Sequence, residues 1–220
     1  MEKRIDLRRS NVVGVIHTAV GFAEAGNPAL DAVEVRVDAL PTPPSLQQIA
    51  ALSVPAILTV RRLDEGGARP ISEEERLDHY LALLPAAAAV DIEMRSTKRF
   101  GNLLETVRAR KKTLIVSFHD FEATPSPARL RNIGARARGA GADIVKIAAR
   151  TETPAEVARL LVLLEEATEP FAVMGMGALG RASRLLFAKA GSVLNYGWLD
   201  KPQVPGQWSA KEFLEFLARA

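Results

Sequence analysis

Val116-Ser117-Phe118-His119-Asp120 and Ala142-Asp143-Ile144-Val145-Lys146-Ile147-Ala148 read as consecutive strands, and they put one histidine and one lysine into otherwise apolar runs. Lys146 stands among Ile, Val and Ala, where burial is expected. A buried ammonium is costly, so it finds an anionic partner or its pKa falls and the amine becomes a nucleophile suited to Schiff-base chemistry. His119 follows Leu114-Ile115-Val116, at the point where the strand is expected to hand over to a loop. Imidazole is the usual proton carrier near neutral pH. Taken alone, each residue also has a plainer reading, as a salt-bridged strand lysine and a turn-capping histidine. The arrangement of the rest of the chain decides between them.

Short β-rich runs alternate with helix-like segments on both sides of this pair, which implies a parallel sheet with helical crossovers. Strands are expected at Val12 to Ile16, Val33 to Asp38, Ala56 to Val60, Ala88 to Met94, Thr113 to Phe118, Asp143 to Ala148, Phe171 to Met176 and Ser192 to Tyr196. The first helical segment is expected around Phe22 to Ala32, the second from a Ser45 cap to Leu52, and the third from Ser72, where Ser72-Glu73-Glu74-Glu75 fits a capping box. The next run from Phe100 to Lys111 and from Pro127 into Arg138-Gly139-Ala140-Gly141. Thr153 and Pro154 then open a helix to Ala167, and the last two span Arg181 to Ala190 and Ser209 to Ala218. Eight strand and helix pairs with no linker, low-complexity segment or internal repeat imply a closed (β/α)8 TIM barrel, with residues 1–220 forming a single catalytic domain. A doubly wound open sheet would normally carry a glycine-rich turn after its first strand, and none is present. Gly175-Met176-Gly177-Ala178-Leu179-Gly180 has that spacing but follows the seventh strand, where glycine is expected to allow close backbone approach or a tight turn.

At 220 residues, 48% of them hydrophobic, the chain can bury one large core. It has no cysteine, which excludes disulfides, thiolate metal sites and cysteine nucleophiles. The three histidines, His17, His79 and His119, have no metal-ligand spacing, so neither a metal nor another cofactor is expected. The net charge of +3 is spread among alternating acids and bases, favouring an anionic small molecule over nucleic acid. Arg129, Arg131, Arg136 and Arg138 form the densest basic stretch and read as a solvated helix face. Lys3, Arg4, Arg8 and Arg9 before the apolar run Val12 to Phe22 outline a secretory signal. Gly14, His17, Thr18 and Gly21 interrupt that run, however, and it reads better as the first strand of a cytoplasmic protein. No stretch approaches the roughly 20 apolar residues that span a bilayer, so no membrane partner is expected.

Barrel active sites gather at the carboxyl ends of the strands. Polar residues concentrate there. Glu34, Arg36 and Asp38 alternate on the second strand and Asp91, Glu93 and Arg95 on the fourth, placing each set on one face that cannot pack against helices. Arg61 and Arg62 end the third strand before Asp64 and Glu65; Met174 and Met176 share a face of the seventh, and Arg184 follows on its helix. Glu34 and Arg36 also suit an ion pair plugging the barrel, and the two methionines suit core filling. Together the set suits a polyhydroxylated, carboxylate-bearing ketone, with Lys146 forming an imine and His119 moving protons.

These residues give the chain its resemblance to the type I 3-dehydroquinate dehydratases, the imine-forming enzymes of the shikimate pathway. The matching stretches are Val33 to Asp38, Arg61 to Gly67, Ser117 to Phe121, Gly141 to Ala148, Met174 to Gly177, Ser183-Arg184-Leu185 and Pro205-Gly206-Gln207. Each is a weak motif, but in this order, at the expected strand ends, they are specific. The resemblance implies that Lys146 condenses with the C3 ketone of 3-dehydroquinate and that His119 moves protons at C2 and the C1 hydroxyl, releasing water and 3-dehydroshikimate. It implies that Glu65 positions His119, that Glu34, Arg36 and Arg61 bind ring hydroxyls, and that Arg184, Gln203 and Gln207 bind the carboxylate. Gln203 stands where many members carry serine or threonine. The resemblance further implies a homodimer, and the chain is short for the family, which points to trimmed helices and loops. Two alternatives stay open: another imine-forming barrel such as a class I aldolase, which needs backbone amides for a sugar phosphate after the seventh and eighth strands, and a catalytically silent metabolite-binding barrel.

Overall fold

Val33, Val35 and Val37 point outward beneath the helices, while Glu34 and Arg36 between them face a central cavity. This period-two alternation is the device that builds the fold. In the computed structural model, which describes residues 3–26, 29–204 and 206–219, it recurs around an eight-stranded sheet. The chain runs β1 (Asn11–Ile16), α1 (Ala19–Glu24), β2 (Ala32–Arg36), α2 (Leu46–Ala50), β3 (Ala56–Thr59), α3 (Glu73–Leu83), β4 (Ala89–Glu93) and α4 (Gly101–Ala109). It continues with β5 (Thr113–Asp120), α5 (Pro127–Gly139), β6 (Ile144–Arg150), α6 (Pro154–Glu165), β7 (Phe171–Met176), α7 (Gly180–Lys189), β8 (Leu194–Trp198) and α8 (Ala210–Arg219).

From β1 to β7 each strand pairs in parallel with the next, and β8 returns to pair with β1. The order contains no reversal, which rules out the doubly wound sheet. The β7–β8 seam is held more sparsely. At its amino end Val193 N donates to Phe171 O at 2.8 Å and Val173 N donates to Ser192 Oγ at 3.0 Å. At its carboxyl end the Arg184 guanidinium donates to Gly175 O at 3.1 Å and Tyr196 O at 3.3 Å, bridging the two strands. Inside the barrel, Val13, Ala32, Ile57, Ala89, Ile115, Ile144, Ala172 and Leu194 belong to one apolar cluster that fills the interior below the cavity. This packed floor leaves the carboxyl-end mouth as the place where the polar interior meets solvent.

The expected elements are all present, with displaced ends. The first helix is α1, earlier than the expected Phe22 to Ala32, because Thr18 caps it by accepting from Gly21 N at 3.1 Å and Ala32 is drawn into β2 opposite Val13. Asn27 and Pro28, within that expected span, lie outside the described residues, as do Met1, Glu2, Pro205 and Ala220. β5 runs on to Asp120, so His119 lies within a strand rather than at its handover to a loop; its register partner in β6 is Ala148. β8 begins at Leu194 instead of Ser192, whose hydroxyl serves the seam. Ser72 accepts from Glu75 N at 3.1 Å, but the Glu75 carboxylate turns to His79 at 3.6 Å, so the expected capping box is half formed. Complete boxes open α2, through Ser45 and Gln48, and α6, through Thr153 and Glu156. The four arginines of α5 are exposed, its buried face being Leu130, Ile133, Gly134 and Ala137. α1 and α2 are short, of six and five residues.

Candidate active site

The carboxyl ends of the strands enclose a cavity of about 420 Å³. Every residue expected in the site lines it: Lys146, His119, Glu65, Glu34, Arg36, Arg61, Arg184, Gln203 and Gln207. Lys146 is 3% exposed and its Nζ donates to Asp91 Oδ2 at 2.7 Å and Glu34 Oε1 at 3.0 Å. Of the two fates open to a buried lysine, the fold selects partnership. The ammonium also lies 4.0 Å from the centroid of the Tyr196 ring, an aromatic face that attracts a cation.

These contacts extend into a chain of alternating charges that crosses the barrel wall. Arg61 donates to Asp91 Oδ2 at 2.6 Å, to Glu93 Oε1 at 3.1 Å and to Ser117 Oγ at 2.7 Å. Arg76, reaching in from α3, donates to the other oxygen of Glu93 and to Val60 O at 2.8 Å. Arg76, Arg61 and Lys146 thus alternate with Glu93, Asp91 and Glu34, and each buried charge meets its opposite. Burial alone would raise the Asp91 carboxyl; Arg61 and Lys146 instead hold it below its ordinary value. Arg95, expected to share this inward face, lies past the end of β4, 62% exposed and 3.1 Å from Asp64. β4 ends at Glu93, two residues before Arg95, so the alternation stops too early to bring Arg95 inside.

His119 is joined to Glu65 through Nδ1 and Oε2 at 3.0 Å. Glu65 comes from a tight turn after β3, which Gly66 closes at φ +89. The glycine is needed there twice: for the left-handed backbone, and because a Cβ would lie 2.8 Å from the Phe121 ring, which stacks on His119 at 6.3 Å. Burial first, and then the nearby Glu93 carboxylate, push the Glu65 carboxyl up to about 7. Burial, Arg61 and Lys146 hold His119 well below its ordinary value. At acid pH a protonated Glu65 donates to Nδ1 and leaves the ring proton on Nε2, so the ring cannot act as a base. Above about pH 7 the ionised Glu65 accepts Nδ1–H, leaving Nε2 basic. The kcat/KM of this site is therefore expected to rise with pH through about 7. In Glu65→Gln, where only His119 titrates, the acid limb should move to lower pH and the plateau should fall. A pH–rate profile of both proteins checks this; an unmoved limb excludes Glu65 as its origin.

Arg184 is buried with a different environment. Its partners are backbone carbonyls, and among the described residues no carboxylate pairs with it; burial lowers its pKa to about 10, leaving it charged at neutral pH. Close by, Gln203 N donates to Gln207 Oε1 at 2.9 Å, which fixes that amide and leaves its NH2 to donate. Arg36 is bound bidentately to Asp38, at 3.0 and 2.8 Å, and also donates to Gly66 O at 3.0 Å. Asp38 lies just past β2, where it also accepts from the amides of Arg61 and Ala68, each at 3.0 Å. Within β7, a Cβ on Gly175 would lie 2.1 Å from Ser183 Oγ, so this glycine serves close packing of α7. The amides of Leu179, Gly180 and Ser183 donate within the protein, at 3.0, 3.0 and 2.9 Å, so these three are not free to cradle the sugar phosphate of an aldolase. Among the described residues no group of three His, Cys, Asp or Glu side chains is arranged to hold a metal.

A family model described as type I 3-dehydroquinase matches residues 17–219. The chain belongs to the type I 3-dehydroquinase family. It is 36% identical over 190 residues to the 3-dehydroquinate dehydratase of Methanocella arvoryzae, covering 85% of this chain and 86% of the relative. It is likewise 36% identical over 200 residues to that of Thermococcus gammatolerans, covering 90% and 91%. The crystal structure of the 3-dehydroquinate dehydratase from Aquifex aeolicus superposes with a TM-score of 0.82 at 28% identity, covering 95% of this chain and 98% of that one.

Within this type I 3-dehydroquinase barrel, sequence reasoning left His17, Tyr196 and Phe121 out of the site although all three line the cavity. It noted Asp91 as inward-facing without assigning it to Lys146. Alternation from Leu194 puts Tyr196 on the inward face, a signal already contained in the expected strand Ser192 to Tyr196.

Proposed function

We propose that this chain dehydrates 3-dehydroquinate to 3-dehydroshikimate, the hydro-lyase step of the shikimate pathway, through an imine on Lys146. The observation that carries the reading is a buried amine and a carboxylate-paired imidazole opening on one cavity, Lys146 held by Asp91 and Glu34 and His119 held by Glu65. The amine sheds a proton before it attacks, and the acceptors in contact with it are those two carboxylates. Nζ then bonds to the C3 carbon, and the ketone oxygen departs as water. The cationic imine draws electron density from C2, whose proton passes to His119 Nε2. The electron pair returns from the enamine to expel the C1 hydroxyl, which takes a proton from His119 and leaves as water. Water then hydrolyses the imine, so the net change is the loss of one water.

Glu34, Arg36 and Arg61 are proposed to bind the ring hydroxyls, and Arg184, Gln203 and Gln207 the carboxylate. A guanidinium already desolvated and without an anionic partner among the described residues is suited to a bidentate carboxylate. Arg184→Ala is expected to raise KM for 3-dehydroquinate by about a hundredfold. Steady-state kinetics measures this, and an unchanged KM would move the carboxylate elsewhere. The reading includes residues 1–220 as one catalytic domain acting as a homodimer in the cytoplasm; family membership supports it, and light scattering tests the dimer. Among the described residues no helix is long and apolar enough to cross a membrane. The deciding experiment mixes the protein with 3-dehydroquinate, following absorbance of the conjugated product and, with sodium borohydride, the intact mass. Turnover and a single adduct on the Lys146 peptide support the proposal; the absence of both overturns it.

A further inference from the structure

His17, immediately after β1, is a buried imidazole that the proposed reaction does not use. It is 8% exposed and lines the cavity, on the wall opposite β5 and His119. Apart from a weak contact with the Val15 backbone, neither ring nitrogen completes a hydrogen bond among the described residues, and Asp200 Oδ1 is likewise unpaired. These unpartnered groups face each other: Nε2 lies 3.9 Å from Oδ1. Buried polar atoms left unpaired are costly, and two of opposite character in register are costlier to explain as coincidence. The other Asp200 oxygen is engaged, accepting from Thr18 Oγ1 at 2.6 Å, and Thr18 in turn caps α1.

Asp200 opens the connection from β8 to α8, which contributes Lys201, Gln203 and Gln207 to the cavity wall. The far end of this connection is tied down, with Trp198 N donating to Trp208 O at 3.0 Å and Trp198 Nε1 donating to Gln207 O at 3.2 Å. At the Asp200 end, one carboxylate oxygen is fixed and the other is aimed at His17. An approach of about 1 Å turns that separation into a hydrogen bond.

We propose that His17 and Asp200 are positioning residues that latch the β8–α8 connection to β1, with Nε2–H of a neutral His17 donating to Asp200 Oδ1. The latch holds Gln203 and Gln207 where they meet the substrate carboxylate beside Arg184. It rests on the functional reading above, since that carboxylate is what the connection is placed to receive. Removing it weakens substrate binding and leaves the Lys146 and His119 chemistry in place.

The test is a double-mutant cycle on the full chain, read as KM and kcat for 3-dehydroquinate. His17→Ala is expected to raise KM about tenfold, the scale of one hydrogen bond to a charged group, with kcat changed less than about threefold. In an Asp200→Ala background the same substitution should have no further effect on KM. His17→Gln, which keeps a donor at similar reach, should recover most of the affinity. Equal factors in both backgrounds, or an unchanged KM in His17→Ala, would overturn the latch. Wild-type protein that neither turns over 3-dehydroquinate nor forms the borohydride adduct overturns the functional reading and this inference together. An active wild type with additive variants overturns this inference alone.

Discussion

Lys146→Ala is expected to lower kcat for 3-dehydroquinate by at least about 10^4-fold and to abolish the borohydride adduct. Within the buried network no other amine takes its place: the remaining cations, Arg61 and Arg76, are guanidiniums, which stay protonated, and Lys201 on the cavity wall is exposed. The substitution also has a structural cost. It leaves Asp91 to Arg61 and strips Glu34 of its only charged contact among the described residues, the hydroxyl of Thr59 remaining at 2.9 Å. Breaking a fully buried pair costs about 3–5 kcal/mol, so the variant should melt well below the wild type. Kinetics and melting must therefore be measured together. A folded variant that still turns over substrate at a comparable rate would end the imine mechanism.

His119→Ala is expected to reduce kcat by about 10^2 to 10^4-fold, the span of general acid–base catalysis, while the adduct at Lys146 persists. The two variants fail differently because the amine and the imidazole stand on separate supports. Lys146 is held by Glu34 and Asp91 from β2 and β4, whereas His119 is held by Glu65 from the turn after β3. Removing the imidazole leaves the first set intact, so the covalent intermediate forms and accumulates. Intact mass under borohydride separates the outcomes, and a His119→Ala protein with no adduct would assign His119 to imine formation rather than to elimination.

The barrel was legible because its signal is local and repetitive. Val33, Val35 and Val37 alternate with Glu34 and Arg36, and only a strand with one face against helices and the other in a polar interior accommodates that pattern. Boundaries were less legible. His119 proved to lie within β5 because pairing with β6 extends the strand past the apolar run, and inter-strand hydrogen bonds leave no mark in hydropathy. Arg95 was misplaced for the converse reason: alternation on paper continues after the backbone has turned.

The sequence by itself determined the strand order of the candidate site residues, the inward direction of Glu34, Asp91 and Lys146, and the family to which their spacing belongs. Only the tertiary structure decided which charges meet. Lys146 touches Glu34, which is 112 positions away, and Asp91, which is 55 away, and no periodicity fixes contacts between strands on different sides of a barrel. It likewise decided that Arg184 is buried with no carboxylate partner among the described residues and that His17 faces Asp200, whose other oxygen Thr18 holds across 182 positions of chain. The reason is physical. Direction is set by the local pleat, whereas electrostatic partnership and desolvation depend on how closure of the barrel brings distant strands together.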